Sequence, residues 1–280
     1  MNVVRPASAD RTRASAAVFI SVVGSALVLA LTGCGRSSET PAPASRFAAS
    51  TYTLMQMNLC LSGIAGCYRK VDYPAGVRDA VAEIRETHPD AVTFNEACSG
   101  DVALIARQAG YHVRFSRVIY NHKPLPCIKP EGRGLFGDAV LAKAAIGNTG
   151  TEPFQTQAGP ERREWLCVAT RVGVEVCTAH LASSQPDEVA ANAPQCAELR
   201  ALLARRAPGH TVIFAGDVNR RSSCAPQGLW TVTDGFARQD PGSQQSYGTG
   251  ALRSPSAQVL PAAHTDHDVL LVHATLTAKR

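Results

Sequence analysis

The sequence of 280 residues lacks several features that would identify a class of protein at once. It has no internal repeat, which excludes solenoid and propeller arrays. Its nine cysteines include no C-x-x-C pair, which argues against a structural zinc site. The net charge of +5 is too mild to indicate a nucleic-acid partner by itself. What remains, with 45% apolar and 18% charged residues, is an ordinary globular composition for one larger domain or two small ones.

The first 34 residues have the pattern of an export signal. Three arginines precede an uncharged apolar run, Ala14 to Leu31, which leads into the small-residue sequence LTGC. The arginines are Arg5, Arg11 and Arg13. The ending resembles a bacterial lipobox, whose cysteine, here Cys34, is acylated and becomes the mature N-terminus. An uncleaved membrane anchor and an ordinary cleaved signal are the alternatives.

Residues 35–50 are rich in serine, proline and alanine, which is typical of a flexible tether. The sequence therefore predicts three parts: a lipoprotein signal peptide at 1–34, a tether at 35–50 and one domain at 51–280. We expect the domain to lie on the extracellular face of the cell membrane, held there by the lipid anchor.

Eight cysteines remain after Cys34, and an even number in an exported protein favours disulfides. Their connectivity stays open, apart from one pair. The stretch WLCVATRVGVEVCTAH is typical of two strands joined by a turn, which places Cys167 opposite Cys177. Cross-strand neighbours have Cβ atoms about 4.5–5.5 Å apart, close enough for a bridge after a small adjustment. We therefore predict a Cys167–Cys177 disulfide.

From about Ser50 the sequence alternates between strand and helix patterns. Strands outnumber helices and several are joined by short turns, which predicts strand layers inside and helices outside. Polar residues recur where these apolar strands end. They are Asn58, Glu96, His180, Asp217, Asn219, Asp266 and His267.

The stretch TVIFAGDVN shows this pattern most clearly. A run of β-forming residues leads into Ala215 and Gly216, and Asp217 and Asn219 follow, separated by one residue. Residues i and i+2 of an extended chain point to the same side, so we expect both polar side chains to face one place. Two oxygen-bearing side chains at a strand end suit a hard cation or a phosphate ester. A plain polar turn is the alternative.

Six motifs in one order resemble the endonuclease/exonuclease/phosphatase family, which has the deoxyribonuclease I-like fold. They are MQMNL (55–59), TFNEA (93–97), GLFGDAVLAK (134–143), TAHL (178–181), GDVN (216–219) and TDHD (265–268). The resemblance spans Thr51 to Leu276. It implies an α/β fold, a four-layer α/β sandwich in which two mixed β-sheets pack face to face with helices outside. It also implies that the strand ends meet at one cleft.

The resemblance further implies hydrolysis of phosphodiesters with Mg²⁺ or Mn²⁺ as the cofactor. Such a cation neutralises the phosphoryl oxygens and stabilises the leaving oxygen. Glu96 is expected to be its first ligand, helped by Asn58 and Asp266, because Mg²⁺ prefers one or two carboxylates with waters and substrate oxygens. An exposed acid at a strand end is the alternative for Glu96.

The histidines and the GDVN motif are expected to perform the catalytic steps. His267 is expected to take the proton from the attacking water, because the unperturbed pKa of histidine lies near neutrality. Asp217 and Asn219 are expected to orient that water or hold a second cation. His180 is expected to donate to a non-bridging phosphate oxygen, with a satisfied core histidine as the alternative.

Basic residues near the motifs are weaker candidates for phosphate contact. Arg220 and Arg221 follow the GDVN motif, and Arg133 lies in a long loop with Lys123 and Lys129. Solvated surface charge is the alternative for each of them.

One acid that the family usually has is missing. The family places an aspartate in a strand before the final Asp-His pair, where it orients the catalytic histidine, whereas residues 242–263 contain no acid. Gln244 or Gln245 is expected to take its place, with Asp234 or Asp240 as the alternative. An amide cannot stabilise imidazolium by charge, so we expect the acidic limb of the pH–rate profile near the unperturbed histidine pKa of about 6.5.

The leading interpretation is a monomeric, membrane-tethered, extracellular phosphodiesterase that requires a divalent cation and acts as a nuclease. Hydrolysis of a lipid phosphodiester, as in the sphingomyelinase branch, is a second interpretation that suits the lipid anchor. A binding module that kept the fold and lost turnover is a third, and the missing aspartate is its main support.

Overall fold

The structure is a computed structural model, and it describes residues 49–65, 67 and 73–277. The predicted signal peptide, the predicted lipobox with Cys34 and most of the predicted tether lie outside these residues. Within the described chain, no helix is long and apolar enough to cross a membrane.

Strands dominate the described chain. In chain order the elements are β1 (Ser50–Asn58), α1 (Ala75–Thr87), β2 (Ala91–Cys98), α2 (Ser99–Ala109), β3 (His112–Arg117), β4 (Ile119–Tyr120), β5 (Lys123–Pro124), β6 (Phe136–Ala142), β7 (Ile146–Pro153), β8 (Glu161–Arg162), β9 (Glu164–Thr170), β10 (Val174–Ala179), α3 (Val189–Arg206), β11 (Thr211–Asp217), β12 (Trp230–Thr233), β13 (Gln244–Gly248), β14 (Leu252–Leu260) and β15 (Val269–Leu276).

Two six-stranded sheets form the centre of the fold. Sheet 1 has the order β14-β15-β1-β2-β6-β3, and sheet 2 has the order β12-β13-β11-β10-β9-β7. Both are mixed, because β1 pairs in parallel with β2 and β10 pairs in parallel with β11, whereas their other pairs are antiparallel. A small sheet of β5, β4 and β8 lies apart from them in the hydrogen-bonding pattern.

The apolar residues form clusters that define four layers. One cluster joins α1 and α2 to sheet 1, a second lies between the two sheets, and a third joins α3 to sheet 2. In β1, Leu54 belongs to the cluster between the sheets, whereas Met55 packs toward the helices. The central strands are therefore buried on both faces, which explains their nearly continuous apolar runs. The predicted four-layer α/β sandwich is confirmed.

The helices follow simple sequence rules. In α1 the buried side chains Val77, Ala80, Val81 and Ile84 repeat at helical spacing on one face, which packs on sheet 1. After α2 the chain turns at Gly110 with a φ of 79°, a left-handed conformation that glycine adopts without strain.

Four disulfides link the eight described cysteines, and they anchor loops around the sheets. Cys167 and Cys177 are bonded across the β9–β10 hairpin, in the register predicted from the sequence. The other pairs are Cys60–Cys67, Cys98–Cys127 and Cys196–Cys224. The last of these ties α3 to the segment after β11, beside the end of the strand that carries the GDVN motif.

Candidate active site

One cleft of about 710 Å³ opens where strands of both sheets end. Six of the seven polar residues predicted at strand ends line it, and the seventh, Asn58, is hydrogen-bonded to two of them. The six are Glu96, His180, Asp217, Asn219, Asp266 and His267. The packing of the two sheets thus brings together residues that are up to 171 positions apart in the sequence.

Asn58 holds the carboxylates of two other strands in place. Its side-chain nitrogen Nδ2 donates to Glu96 Oε1 and to Asp217 Oδ2, at 3.0 Å each. Its oxygen Oδ1 accepts from the backbone N–H of Cys60 at 3.2 Å. In this arrangement both ends of the amide are engaged. Asn58 therefore orients two candidate cation ligands, whereas the sequence had suggested it as a ligand itself.

Glu96 reaches the cleft because the backbone of β2 is irregular there. The pairing of β2 with β6 shifts register between Phe94 and Ala97, and Glu96 has a φ of 54°. A left-handed conformation is uncommon for a residue with a side chain and is often held in place at functional sites. Burial raises the pKa of Glu96 to about 7, although the hydrogen bond from Asn58 favours its carboxylate form.

Asp217 and Asn219 do face one place, but not by the geometry expected from the sequence. The strand β11 ends at Asp217, and Asn219 lies beyond it with a φ of 52°. The backbone N–H of Asn219 donates to Asp217 Oδ1 at 3.0 Å, so the carboxylate closes a tight turn. The alternation rule for extended chains was therefore the wrong reason. Gly216 is needed just before this turn, since a Cβ there would lie 2.2 Å from the carbonyl oxygen of Ala179.

His180 is held on both ring nitrogens. Its Nδ1 lies 2.7 Å from Nη1 of Arg163, and its Nε2 lies 3.0 Å from Nδ2 of Asn219. The same Nε2 is 3.7 Å from Glu96 Oε1 and 3.9 Å from Asp217 Oδ2. Burial and the positive charge of Arg163 hold the pKa of His180 well below its usual range.

Arg163 is a site residue that sequence reasoning missed. Only 6% of its side chain is exposed, and it forms ion pairs of 2.9 Å with Glu161 and 3.0 Å with Glu188. All three line the cleft. Arginines are rarely buried, and the sequence ERREW gives no sign that its third residue turns inward. No local pattern would have identified it.

His267 faces carboxylates rather than an amide. Its Nε2 lies 3.7 Å from Asp217 Oδ2, and its Nδ1 is buried without a hydrogen-bond partner among the described residues. Burial lowers the pKa of His267, but the negative charges around it outweigh this effect and raise the pKa above its usual value. The carboxylates are those of Asp217, Asp266, Glu96 and Asp240. The expectation of an unperturbed histidine is therefore wrong.

Neither candidate glutamine holds the His267 ring. Gln245 donates to the carbonyl oxygens of Arg220 and Gly242, and its oxygen accepts from the hydroxyl of Tyr247. Gln244 donates to the carbonyl oxygen of Asp268 at 2.7 Å and to Asp234 Oδ2 at 3.3 Å. Gln244 thus positions the backbone next to His267 and does not hydrogen-bond to its ring.

The three candidate phosphate-binding arginines separate into two kinds. Arg220 and Arg221 line a side groove that shares Asn219 and Asp240 with the cleft, and Arg220 also donates to Ser222 and Asn192. Arg133 is buried, with an ion pair of 2.7 Å to Asp101. Its other nitrogens donate to backbone carbonyl oxygens. The prediction of phosphate contact by Arg133 is therefore wrong, because its donors are already used within the fold.

A buried polar layer supports the cleft from below. Asn95 accepts hydrogen bonds from Gln56 and from the backbone N–H of Asp217, both at 2.8 Å, and donates to Asp138 at 2.9 Å. Burial raises the pKa of Asp138 to about 7, although the hydrogen bond from Asn95 opposes this. Since Asn95 accepts from the backbone of Asp217, it fixes the end of β11 relative to β2. The sequence offered no signal for this role.

The donor set of the cleft suits a hard divalent cation. Glu96, Asp217 and Asp266 supply carboxylates, and Asp266 Oδ1 is buried without a hydrogen-bond partner among the described residues. Oxygen ligands of this kind match Mg²⁺ or Mn²⁺. The sulfurs of Cys60 and Cys67 also lie close to Glu96, but they are joined in a disulfide and are not available as thiolate ligands.

The fold and the site together define a two-sheet α/β sandwich with carboxylates and histidines gathered in one cleft at the strand ends. A family model described as the Endonuclease/Exonuclease/phosphatase family matches residues 64–275, and the chain belongs to this family. The members are hydrolases that act on phosphate ester bonds, the phosphodiester bond among them. A search of curated proteins found no match.

Solved structures with low sequence identity share the fold. The endonuclease/exonuclease/phosphatase from Beutenbergia cavernae superimposes with a TM-score of 0.60 at 18% identity, covering 81% of this chain and 72% of that one. TDP2 from Caenorhabditis elegans gives 0.58 at 16% identity, with 81% and 74% covered. TDP2 from D. rerio, in complex with a single-strand DNA product, gives 0.55 at 14% identity, with 80% and 99% covered.

Proposed function

We propose that this protein is a phosphodiesterase that depends on Mg²⁺ or Mn²⁺ and acts as a nuclease. The observation that supports this most directly is that the carboxylates and histidines of the strand-end motifs meet in one cleft: Glu96, Asp217, Asp266, His180 and His267. When bound, the cation would be held by Glu96 and Asp266 with help from Asp217, and it supplies positive charge for the phosphoryl oxygens and the leaving oxygen.

His267 is the residue that takes the proton from the attacking water. Its Nε2 lies 3.7 Å from Asp217 Oδ2, so the imidazolium that forms on proton uptake gains the nearby negative charge. Asp217 is itself fixed by Asn58 and by the backbone N–H of Asn219. The base is thus supported by a carboxylate that cannot rotate away from it.

Nucleic acid is the substrate class that the surroundings of the cleft favour. The side groove with Arg220 and Arg221 continues the cleft and suits a phosphate backbone. Phe236, which is 96% exposed, lies in the β12–β13 loop, and Asp240 of the same loop lines the cleft. An exposed aromatic ring offers a base a surface to stack on. The similar structure of TDP2 from D. rerio, which contains a single-strand DNA product, is consistent with such a substrate.

The proposed location and assembly rest on the sequence alone. The lipobox-like LTGC predicts acylation of Cys34, and a lipid there would tether the domain outside the cell membrane. We propose that the tethered domain acts as a monomer. Replacing the cysteine (Cys34→Ala) is expected to release the protein from membranes or to block its processing. A variant that is processed and fractionates like the wild type would contradict the tether.

Hydrolysis assays test the proposed activity. The purified protein is incubated with single-stranded DNA, RNA, sphingomyelin vesicles and a small chromogenic phosphodiester, with and without EDTA. We expect cleavage of nucleic acid that EDTA abolishes and that Mg²⁺ or Mn²⁺ restores. Preferential cleavage of sphingomyelin would instead establish the lipid phosphodiesterase interpretation.

Two histidine variants control this assay. Replacing the base (His267→Ala) is expected to cost about 10²–10⁴ in rate, the usual contribution of general base catalysis. His112→Ala removes an exposed histidine from the start of β3 and is expected to leave the rate unchanged. Full activity of His267→Ala, or full activity in EDTA, would refute the mechanism.

A further inference from the structure

We propose that Arg163 fixes the tautomer of His180, so that the histidine serves as a neutral N–H donor through Nε2 and not as an acid or a base. This inference rests on the proposed function, because it assigns a role to His180 in the same site. Arg163 is then a positioning residue that acts through His180.

The contact at Nδ1 defines which nitrogen carries the proton. Arg163 Nη1 lies 2.7 Å from His180 Nδ1, and a guanidinium has five N–H donors and no acceptor. An Nδ1–H would therefore point a second hydrogen at a group that already donates. Nδ1 has to offer its lone pair, and the single proton of the neutral ring is left on Nε2.

The guanidinium is not free to turn away. Glu161 and Glu188 bind it at 2.9 and 3.0 Å, and only 6% of its side chain is exposed. The backbone of Arg163 is also held in place by two hydrogen bonds, because its N–H donates to Gln157 Oε1 and its carbonyl oxygen accepts from Gln157 Nε2. The two glutamates balance the buried positive charge, so the arginine remains charged and keeps donating.

The surroundings of Nε2 favour the same tautomer. Glu96 Oε1 and Asp217 Oδ2 lie 3.7 and 3.9 Å from Nε2, and ionised carboxylates only accept. The remaining neighbour, Asn219 Nδ2, lies at 3.0 Å. Asn219 Nδ2 also donates to the carbonyl oxygen of Leu181 at 3.0 Å, so presenting the amide oxygen to Nε2–H gives up that hydrogen bond, whereas Arg163 has no orientation in which it accepts. Because Arg163 can only donate, its contact with Nδ1 determines that the ring proton lies on Nε2.

This arrangement separates the roles of the two histidines in the cleft. A neutral imidazole with its Nδ1 already accepting has no nitrogen left to take a proton, so His180 cannot exchange protons with the substrate. Its Nε2 lies 3.7 Å from Glu96 Oε1 and 3.9 Å from Asp217 Oδ2, so a phosphoryl oxygen bound beside these carboxylates can accept the Nε2–H in place of Asn219. It can thus stabilise negative charge on that oxygen while proton transfer remains with His267.

Nitrogen NMR of the purified protein labelled with ¹⁵N-histidine tests the proton position without any activity. The His180 signals are assigned by their loss in His180→Gln. At pH 7 we expect an unprotonated Nδ1 and a protonated Nε2. In Arg163→Met and in Arg163→Lys the two nitrogens are expected to move toward a mixture of states. A wild-type His180 with a protonated Nδ1, or with both nitrogens protonated, would overturn the proposal.

A double-mutant cycle on the small phosphodiester tests the consequence for catalysis. Arg163→Met is expected to lower kcat about tenfold or more, and at most by the 10²–10³ that follows loss of a whole charge-stabilising donor, with KM little changed. In the His180→Gln background, Arg163→Met is expected to lower kcat by less than about twofold, because the histidine through which Arg163 acts is absent. Equal losses in both backgrounds would show that Arg163 only maintains the fold, and would refute the positioning role.

Arg206→Met is the control for removing an arginine that is partly buried and paired with a glutamate, with 25% of its side chain exposed. Arg206 also forms an ion pair, with Glu175, and contacts the ring of Trp165, but it lines a different cavity from the cleft. We expect it to leave the His180 tautomer unchanged. If no variant and no wild-type preparation hydrolyses any phosphodiester, the proposed function fails, whereas the NMR result still decides the tautomer.

Discussion

Replacing Asp217 by asparagine is the most informative single change, because this carboxylate contacts both the support and the base of the site. Its Oδ2 accepts from Asn58 at 3.0 Å and lies 3.7 Å from His267 Nε2, and its Oδ1 accepts from the backbone of Asn219 at 3.0 Å. Asn has almost the same shape as Asp but carries no charge. Asp217→Asn therefore removes the charge with little change in volume, and it also replaces one of the two accepting oxygens by an NH2 donor.

The expected shift follows from the distance between the charges. Two unit charges about 4 Å apart interact by about 4 kcal/mol at the effective dielectric constant of a protein surface. We assume that the neighbouring charges and the water in the cleft screen this interaction to about one third. Asp217→Asn then removes about 1.4 kcal/mol of stabilisation from the protonated ring, which lowers the pKa of His267 by about one unit. Three further carboxylates, those of Asp266, Glu96 and Asp240, also raise the pKa of His267, so the pKa falls without losing all its elevation.

The sign of the pH effect is set by the role of His267 as a base. Below its pKa the ring is protonated and cannot take a proton, so activity is lost as the pH falls through that value. Lowering the pKa moves the acidic limb of the pH–rate profile to lower pH by about one unit. The plateau rate is expected to fall by about 10²-fold or more, because the imidazolium formed in the reaction loses its stabilising charge.

Steady-state rates from pH 4 to 9 on the small phosphodiester, at saturating Mg²⁺, measure both quantities. Asp240→Asn is the graded control, since Asp240 raises the pKa of His267 less than Asp217 does. Its limb is expected to shift in the same direction by a smaller amount. An acidic limb that stays in place in Asp217→Asn, with the rate recovered by more Mg²⁺, would show that Asp217 acts only as a cation ligand. It would refute the pairing with His267.

Three further predictions concern stability and the glutamine hypothesis. Removing the Cys196–Cys224 disulfide with two serines is expected to lower the free energy of unfolding by about 3–4 kcal/mol in a urea titration, because the bridge closes a loop with a sequence separation of 28. Arg133→Met is expected to lower the free energy of unfolding by about 3–5 kcal/mol, since it removes the ion-pair partner of the buried Asp101. The kcat of the folded fraction is expected to stay unchanged, and a lower kcat would indicate that Arg133 contacts the substrate. Gln244→Asp is expected to reduce thermal stability and to leave the acidic limb in place, because the new carboxylate would face Asp234; a faster enzyme would contradict this.

The sequence predicted the fold and most of the cleft because these depend on local contrasts. A carboxylate or histidine that ends an otherwise apolar strand stands out, and Glu96, Asp217 and His267 were recognisable for that reason. The disulfide between Cys167 and Cys177 was accessible because a hairpin fixes its own register. Features of this kind need only the geometry of one or two neighbouring elements.

The buried arginines could not be predicted, because their partners come from distant parts of the chain. Arg163 binds Glu188, 25 positions away, and Arg133 binds Asp101, 32 positions away. In the sequence each resembles a solvated surface charge, and only the packing of the sheets and loops turns it inward. The turn at Asn219 was missed for a related reason, since a hydrogen bond to Asp217, and not strand alternation, sets its direction.

The absence of an aspartate from residues 242–263 raises the question of what supports His267, and two other residues contribute to that support. A base needs negative charge near its ring, and Asp217 supplies this from sheet 2 at 3.7 Å. It also needs a fixed backbone, and Gln244 holds the carbonyl oxygen of Asp268, next to His267, while its amide is anchored on Asp234. Coulomb interaction depends on distance and not on which strand carries the charge. Negative charge near the ring is therefore present without the missing acid, whereas its hydrogen bond to the ring is not replaced, because His267 Nδ1 has no hydrogen-bond partner among the described residues.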